Sequence, residues 1–330
     1  MKLLVRSFAL ILAATLAAGG YAFYRLTRPY AGFREPVFLD FPRGTGTRQM
    51  AGALAKGGVI EAPWEFELIR LFRSSANLQA GEYRFDRPAS PLEVFDRIAR
   101  GDVFYYELVV PEGKNLFEIG DLVRDLRLFS SEDFIRAARD PSMIRDLDPR
   151  APSLEGFLFP NTYRLTRHTT IEALCRQMTG KFREVWKNLN TQADVHNTVT
   201  LASLVEKEGK LAEERPVIAS VFLKRLKLGM KLDCDPTTIY AALLEGRYRG
   251  TIHRSDLANG HPYNTYQHAG LPPGPIANPG LASIRAVLEP HETNYLYFVL
   301  RPDGSGGHAF SGTLQQQEAA IREYRRGVHK

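Results

Sequence analysis

The sequence predicts an α+β protein in three parts: one N-terminal transmembrane helix, a small α+β module and a larger mixed α+β domain. Three observations carry that expectation. Residues 7–24 hold no charge, and a run of that length just suffices to cross a bilayer as a helix. Short apolar strand patterns then alternate with amphipathic helical ones up to about residue 125. From about residue 170 the helical period dominates, until Tyr295–Leu300 (YLYFVL) reads as a strand and a last helix follows from about Thr313 to Arg326.

Taken in order, Lys2 and Arg6 precede the uncharged run, and Tyr21, Phe23 and Tyr24 end it. Interfacial aromatics suit an anchor. The competing reading is a cleaved signal peptide, with Ala17, Ala18 and Gly19 as the cleavage region. Both send the remainder out of the cytoplasm. Residues 1–28 are therefore expected to form a cytoplasmic tip and membrane anchor. Glu35–Phe41 reads as a strand, and a helix through Met50 and Leu54 closes at Gly57-Gly58. Pro63–Phe72 and Ser90–Ala99 are further helices, with Ala80–Phe85 a strand between them.

The opening then recurs. Pro42, Gly44, Met50 and Leu54 have counterparts at identical offsets in Pro111, Gly113, Ile119 and Val123, each set following an apolar strand. Two copies are too few for a solenoid. The strand–turn–helix opening resembles that of LysM-type glycan-binding modules, so residues 29–108 are expected to be a LysM-like module. Residues 109–152 are expected to bridge it to a catalytic domain over residues 153–330.

Composition excludes some functions. A net charge of +6 favours anionic partners, but Lys and Arg are scattered rather than striped, which argues against nucleic acid. Cys175 and Cys234 are far apart and form neither a disulfide framework nor a CxxC metal site. His291-Glu292-Thr293-Asn294-Tyr295 is not HExxH, because Tyr295 stands where the second His must be. No metal and no cofactor is implied.

The chemistry is expected near residue 208. Leu201, Leu204, Val205 and Glu208 fall at i, i+3, i+4 and i+7, on one helix face. A carboxyl group on an apolar face loses hydration of its charged form, which raises its pKa toward that of a general acid. Glu213, Glu214 and Pro216 read as the start of the next helix. Asp235-Pro236 reads as an N-cap followed by proline at N1, and Asn278-Pro279 as the same device. Tyr263-Asn264-Thr265-Tyr266 is a polar aromatic loop of the kind that lines sites.

The segments LASLVEKEG, EERPVIASVFLKRLKLGMKLDCDPTTIYA, YNTY, GLPPGPIANPG and GGHAFS, in that order, closely resemble the endolytic murein transglycosylases, the YceG-like family. The resemblance extends to the anchor, AGEYRF and LEGFLFPNTY. It implies an endolytic lytic transglycosylase that cuts peptidoglycan strands between N-acetylmuramic acid and N-acetylglucosamine to leave 1,6-anhydro ends. The second Glu of EKE, Glu208, corresponds to the family's catalytic residue. Tyr263, Asn264 and the Asp235 turn are implied to border the glycan groove, with Glu155 near the cleft. Tyr266 and Thr237, in the same loop and turn, are expected substrate contacts beside them. Also implied are a single-pass inner-membrane location, a periplasmic catalytic domain and peptidoglycan synthases as partners. Lys224, Asn161 and Cys234 depart from the family's common residues. Two rivals are a hydrolase pairing Glu208 with Asp233, Asp235 or Glu213, and a non-catalytic wall-binding protein.

Overall fold

The computed structural model describes residues 2–328, which fall into two compact units. The first takes the chain up to Tyr106 together with Thr166–His168. It begins with helix α1 (Lys2–Thr27), in which Val5–Thr27 is apolar and long enough to cross a membrane and is not buried in the protein. The helix outruns the uncharged stretch at both ends. Strands β1 (Val37–Phe41) and β2 (Gly81–Phe85) pair antiparallel, Val37 opposite Phe85 and Phe41 opposite Gly81. Helices α2 (Thr47–Lys56), α3 (Pro63–Phe72) and α4 (Pro91–Arg100) complete the unit. Its core joins Phe41, Leu54, Phe66, Tyr83, Phe95 and Ile98. The start of α4 is written locally: the Ser90 hydroxyl accepts from the Glu93 N–H, and the Glu93 carboxylate accepts from the Ser90 N–H.

The second unit opens on β3 (Tyr106–Val110), which pairs with β4 (Asn161–Leu165), and on helix α5 (Leu116–Asp125). The repeated sequence unit is repeated in space. Gly44 between β1 and α2 and Gly113 between β3 and α5 both hold positive φ, +89° and +76°, a turn that glycine makes without strain. Met50, Leu54, Ile119 and Val123 are all buried. Residues 109–152, the expected bridge, take in the end of β3, α5, α6 (Ser131–Ala138) and a 3₁₀ turn at Pro141–Met143.

Helices α7 (Ile171–Asn188), α8 (Val195–Glu208), α9 (Arg215–Lys227), α10 (Asp235–Leu244), α11 (Arg254–Leu257) and α12 (Leu281–Leu288) follow. Strands β5 (Tyr297–Leu300) and β6 (His308–Ser311) form a hairpin with Leu300 opposite His308, and α13 (Leu314–Val328) ends the described chain. The core around the candidate site gathers Leu201, Leu204 and Val205 of α8 with Ile218 and Phe222 of α9, Tyr240 of α10 and Ala286 of α12. Helix α8 is the central element. From Thr198 to Val205 every residue is buried, so its polar members need internal partners. Ser203 Oγ donates to the Thr200 carbonyl and accepts from the Ile276 N–H.

Candidate active site

Two glutamates end α8, and the fold treats them oppositely. Glu206 is tied down: its Oε1 accepts from Arg215 at 2.9 Å and its Oε2 from the Gly280 N–H at 3.0 Å. It thereby fixes α8 to the start of α9 and to the turn before α12. Glu208, the last helical residue, lines a cavity of about 470 Å³ together with Arg225, Asp233, Asp235, Tyr266, Phe298 and His308. Its carboxylate accepts one side-chain hydrogen bond, to Oε1 from Cys234 Sγ at 3.2 Å. Burial pushes the Glu208 pKa up to about 7; the Cys234 bond opposes the rise, and the nearby Asp235 charge adds to it. The acid on the apolar helix face thus has the protonation chemistry of a general acid near neutral pH.

The other candidates divide into two groups. Asp235 and Tyr266 stand on the cavity wall, joined by a 2.6 Å bond from the Tyr266 hydroxyl to Asp235 Oδ1. Burial, then that bond, raises the Tyr266 pKa. Thr237, Asn264, Tyr263 and Glu155 lie in the interior. Thr237 Oγ1 donates to the Cys234 carbonyl at 2.7 Å and shares a 2.9 Å bond with Thr265, which clamps the Asp235 turn to the loop at 263–266. Tyr263 packs against Tyr240 with ring centroids 5.1 Å apart. Glu155 accepts from the Leu116 N–H at 2.9 Å and from Asn278 Nδ2 at 2.7 Å, and burial pushes its pKa up to about 8.

Asn264 is fully buried, and its amide is saturated by protein groups. Nδ2 donates to the carbonyls of Asp256, Leu257 and Asn259; Oδ1 accepts from Thr238 Oγ1 and the Tyr266 N–H. It shapes the loop that presents Tyr266. Truncating it strands several buried groups at about 1–3 kcal/mol each. Asn264→Ala is therefore expected to lose about 3–5 kcal/mol of stability, read as a lower urea midpoint.

Local expectations are corrected in two places. Asp235 is the first residue of α10, not its cap; Cys234 holds the extended N-cap conformation. That shift frees the Asp235 carboxylate for Tyr266. Asn278 caps no helix, because α12 starts after Gly280. Its Oδ1 instead accepts from the Leu158 N–H at 2.8 Å, and its Nδ2 donates to Glu155 and to the Lys114 carbonyl.

Arg225, Phe298 and His308 are among the cavity residues that the sequence reading did not single out. Arg225 donates to the carbonyls of Leu232 and Leu296 and pairs with Asp233 at 3.1 Å. Phe298 comes from β5. His308 comes from the GGHAFS segment, with Nδ1 2.7 Å from Glu214 Oε2, a carboxylate that Arg301 also holds. Lys224, which departs from the family's common Asn, ties α9 to the segment between α12 and β5 through the Thr293 carbonyl and Asn294 Oδ1. A larger cavity, about 890 Å³, lies in the first unit. Two of its carboxylates are committed, Glu93 to the α4 cap and Asp102 to Arg97.

Cys234 offers a direct handle on the acid. Cys234→Ala removes the donor that favours the carboxylate form and is expected to move the alkaline limb of the kcat/KM profile up by about one pH unit. Cys234→Ser, with a stronger donor, is expected to move it down.

The YceG-like family profile matches residues 39–323. The chain is 32% identical over 313 residues to the endolytic murein transglycosylase of Bacillus subtilis (strain 168), covering 88% of this chain and 85% of that one. It is 29% identical over a 343-residue alignment to the endolytic murein transglycosylase of Streptococcus pneumoniae serotype 2 (strain D39 / NCTC 7466), covering 91% of this chain and 61% of that longer one. A crystal structure of a yceG-like protein from Listeria monocytogenes is similar with a TM-score of 0.56 at 29% identity, covering 87% of this chain and 99% of that one. With its profile match running through β1, the helix that ends in Glu208 and most of α13, this chain belongs to the YceG-like family.

Proposed function

We propose that this protein is a membrane-anchored lytic transglycosylase that cuts within peptidoglycan glycan strands, with Glu208 as its one acid/base. The observation that carries the reading is the Glu208 carboxyl on the cavity wall, raised to about 7 by burial. The activity named for the Bacillus and Streptococcus relatives supports it. Protonated Glu208 gives its proton to the glycosidic oxygen between N-acetylmuramic acid and N-acetylglucosamine as the bond to C1 breaks. The carboxylate left behind takes the proton of the muramic acid C6 hydroxyl, whose oxygen closes on C1. The product is a 1,6-anhydro end, and no water is consumed. A positioned acid/base supplies about 10²–10⁴-fold. The Tyr266 ring, held by its bond to Asp235, is assigned to stack on a sugar.

In this reading α1 crosses the inner membrane, and the rest of the chain works in the periplasm beside peptidoglycan synthases. Residues 29–108 act as a LysM-like glycan-binding module, 109–152 as a bridge and 153–330 as the catalytic domain. The paired strand–turn–helix units support the glycan-binding assignment. A second reading has support in the same cavity, because Asp233 and Asp235 share its wall with Glu208 and hydrolases pair two carboxyl groups. Both aspartates are already engaged, by Arg225 and by Tyr266, which favours the single-carboxylate route. Mass spectrometry of fragments released from purified peptidoglycan tests the choice. Anhydro-ended fragments from the wild type and none from Glu208→Gln are expected. Glycan binding with no release by either protein would leave a wall-binding role instead.

A further inference from the structure

We propose that the outer face of α3 lies in the surface of the membrane that α1 crosses, giving the first unit a second, interfacial attachment to lipid. The proposal rests on the anchor reading above. Helix α3 is apolar on two faces. Phe66 and Ile69 enter the core. Trp64, Leu68, Leu71 and Phe72, at i, i+4, i+7 and i+8, share a separate stripe about 100° wide. Three of its members are exposed, Trp64 to 37%, Leu71 to 73% and Phe72 to 79%, and Leu68 between them is half-buried. Single exposed apolar residues are ordinary, whereas a contiguous helical stripe marks a docking face.

The attachment of α3 to α1 identifies the occupant. Arg25, in the last turn of α1, donates to Glu65 Oε1 at 2.9 Å and pairs with Glu61 at 3.1 Å. Its guanidinium lies 5.7 Å from the ring centroids of both Tyr21 and Trp64. Leu26 packs against the core of the unit. These contacts hold the first turn of α3 at the level where α1 leaves the bilayer. Tyr21, Tyr24 and Trp64 then share the depth at which aromatic belts sit. Arg28 lies over Tyr24 at the same end. An apolar stripe beginning at the aromatic belt fits a helix lying in the headgroup–acyl boundary of the membrane.

Site-directed spin labelling of the full chain in phosphatidylethanolamine–phosphatidylglycerol vesicles tests this. Cys175 and Cys234 are buried, so labels report from introduced thiols: Leu71→Cys, Phe72→Cys and, in the span, Ala14→Cys. All three labels are expected to collide with oxygen several-fold more often than with a water-soluble nickel chelate. Nickel preference at 71 and 72 with oxygen preference at 14 would overturn the interfacial helix and leave the anchor standing. Nickel preference at 14 would remove the anchor reading and the proposal with it. Dipolar broadening between labels on different copies would assign the stripe to a second chain and likewise overturn the proposal.

Discussion

Glu208→Gln is expected to lower the rate of strand cleavage by about 10²–10⁴-fold and, above pH 7, to make the fold more stable. Both effects come from one cause. Glu208 is largely withdrawn from water with a single thiol donor for compensation, and its pKa stands at about 7 against an ordinary 4.5. Between those values the folded chain holds a proton that the unfolded chain has released, so stability falls as pH rises through the window. At about 1.4 kcal/mol per pH unit, ionised Glu208 costs about 3 kcal/mol above pH 7. The glutamine cannot ionise and keeps an acceptor for Cys234. Urea unfolding of the two proteins should show about 3 kcal/mol in favour of Glu208→Gln at pH 8, shrinking toward zero at pH 4. Equal stability at both pH values would mean that the carboxyl is not held in its neutral form. The same titration gives the wild-type pH profile: kcat/KM should fall as pH rises through about 7.

Gly156→Ala is expected to be the most damaging small substitution in the second unit. Gly156 has φ +87°, and a Cβ there would come within 2.4 Å of Pro275 Cγ and 2.8 Å of Val199 Cγ1. Both neighbours are stiff, a proline ring and a β-branched side chain in the buried α8. Left-handed strain of about 1–2 kcal/mol adds to overpacking of about 1–3 kcal/mol. A loss of about 2–5 kcal/mol corresponds to a Tm lower by about 5–15 °C. Gly156 is where the LEGFLFPNTY segment meets both α8 and the Leu271–Gly280 loop. An unchanged Tm would show that this three-way contact yields without cost.

The legible part of the site was the part written in one helix. The i, i+3, i+4, i+7 spacing of Leu201, Leu204, Val205 and Glu208 predicts one shared face, and in α8 the three apolar residues enter the core while Glu208 reaches the cavity wall. That α8 is buried all round from Thr198 to Val205 was not legible. Its other faces carry Ser203 and Glu206, whose partners are Ile276, Gly280 and Arg215. Asn278 shows the limit plainly. Asn followed by Pro looks like a cap, yet its bonds run to Lys114, Glu155 and Leu158, more than a hundred residues away. For the same reason His308 and Arg225 passed unread, because their partners come from other elements. Asn264 and Tyr266 are neighbours in one loop, and only the fold separates the residue that shapes the loop from the one that faces the cavity.

Strand cleavage in ¹⁸O-water tests the central claim, a single carboxyl group that breaks the glycosidic bond without water, most directly. The fragments released by the full chain should end in 1,6-anhydro sugars that carry no ¹⁸O. Reducing ends with ¹⁸O at C1 would contradict the account. They would make Glu208 one half of a hydrolytic pair, with Asp233 or Asp235 as the other.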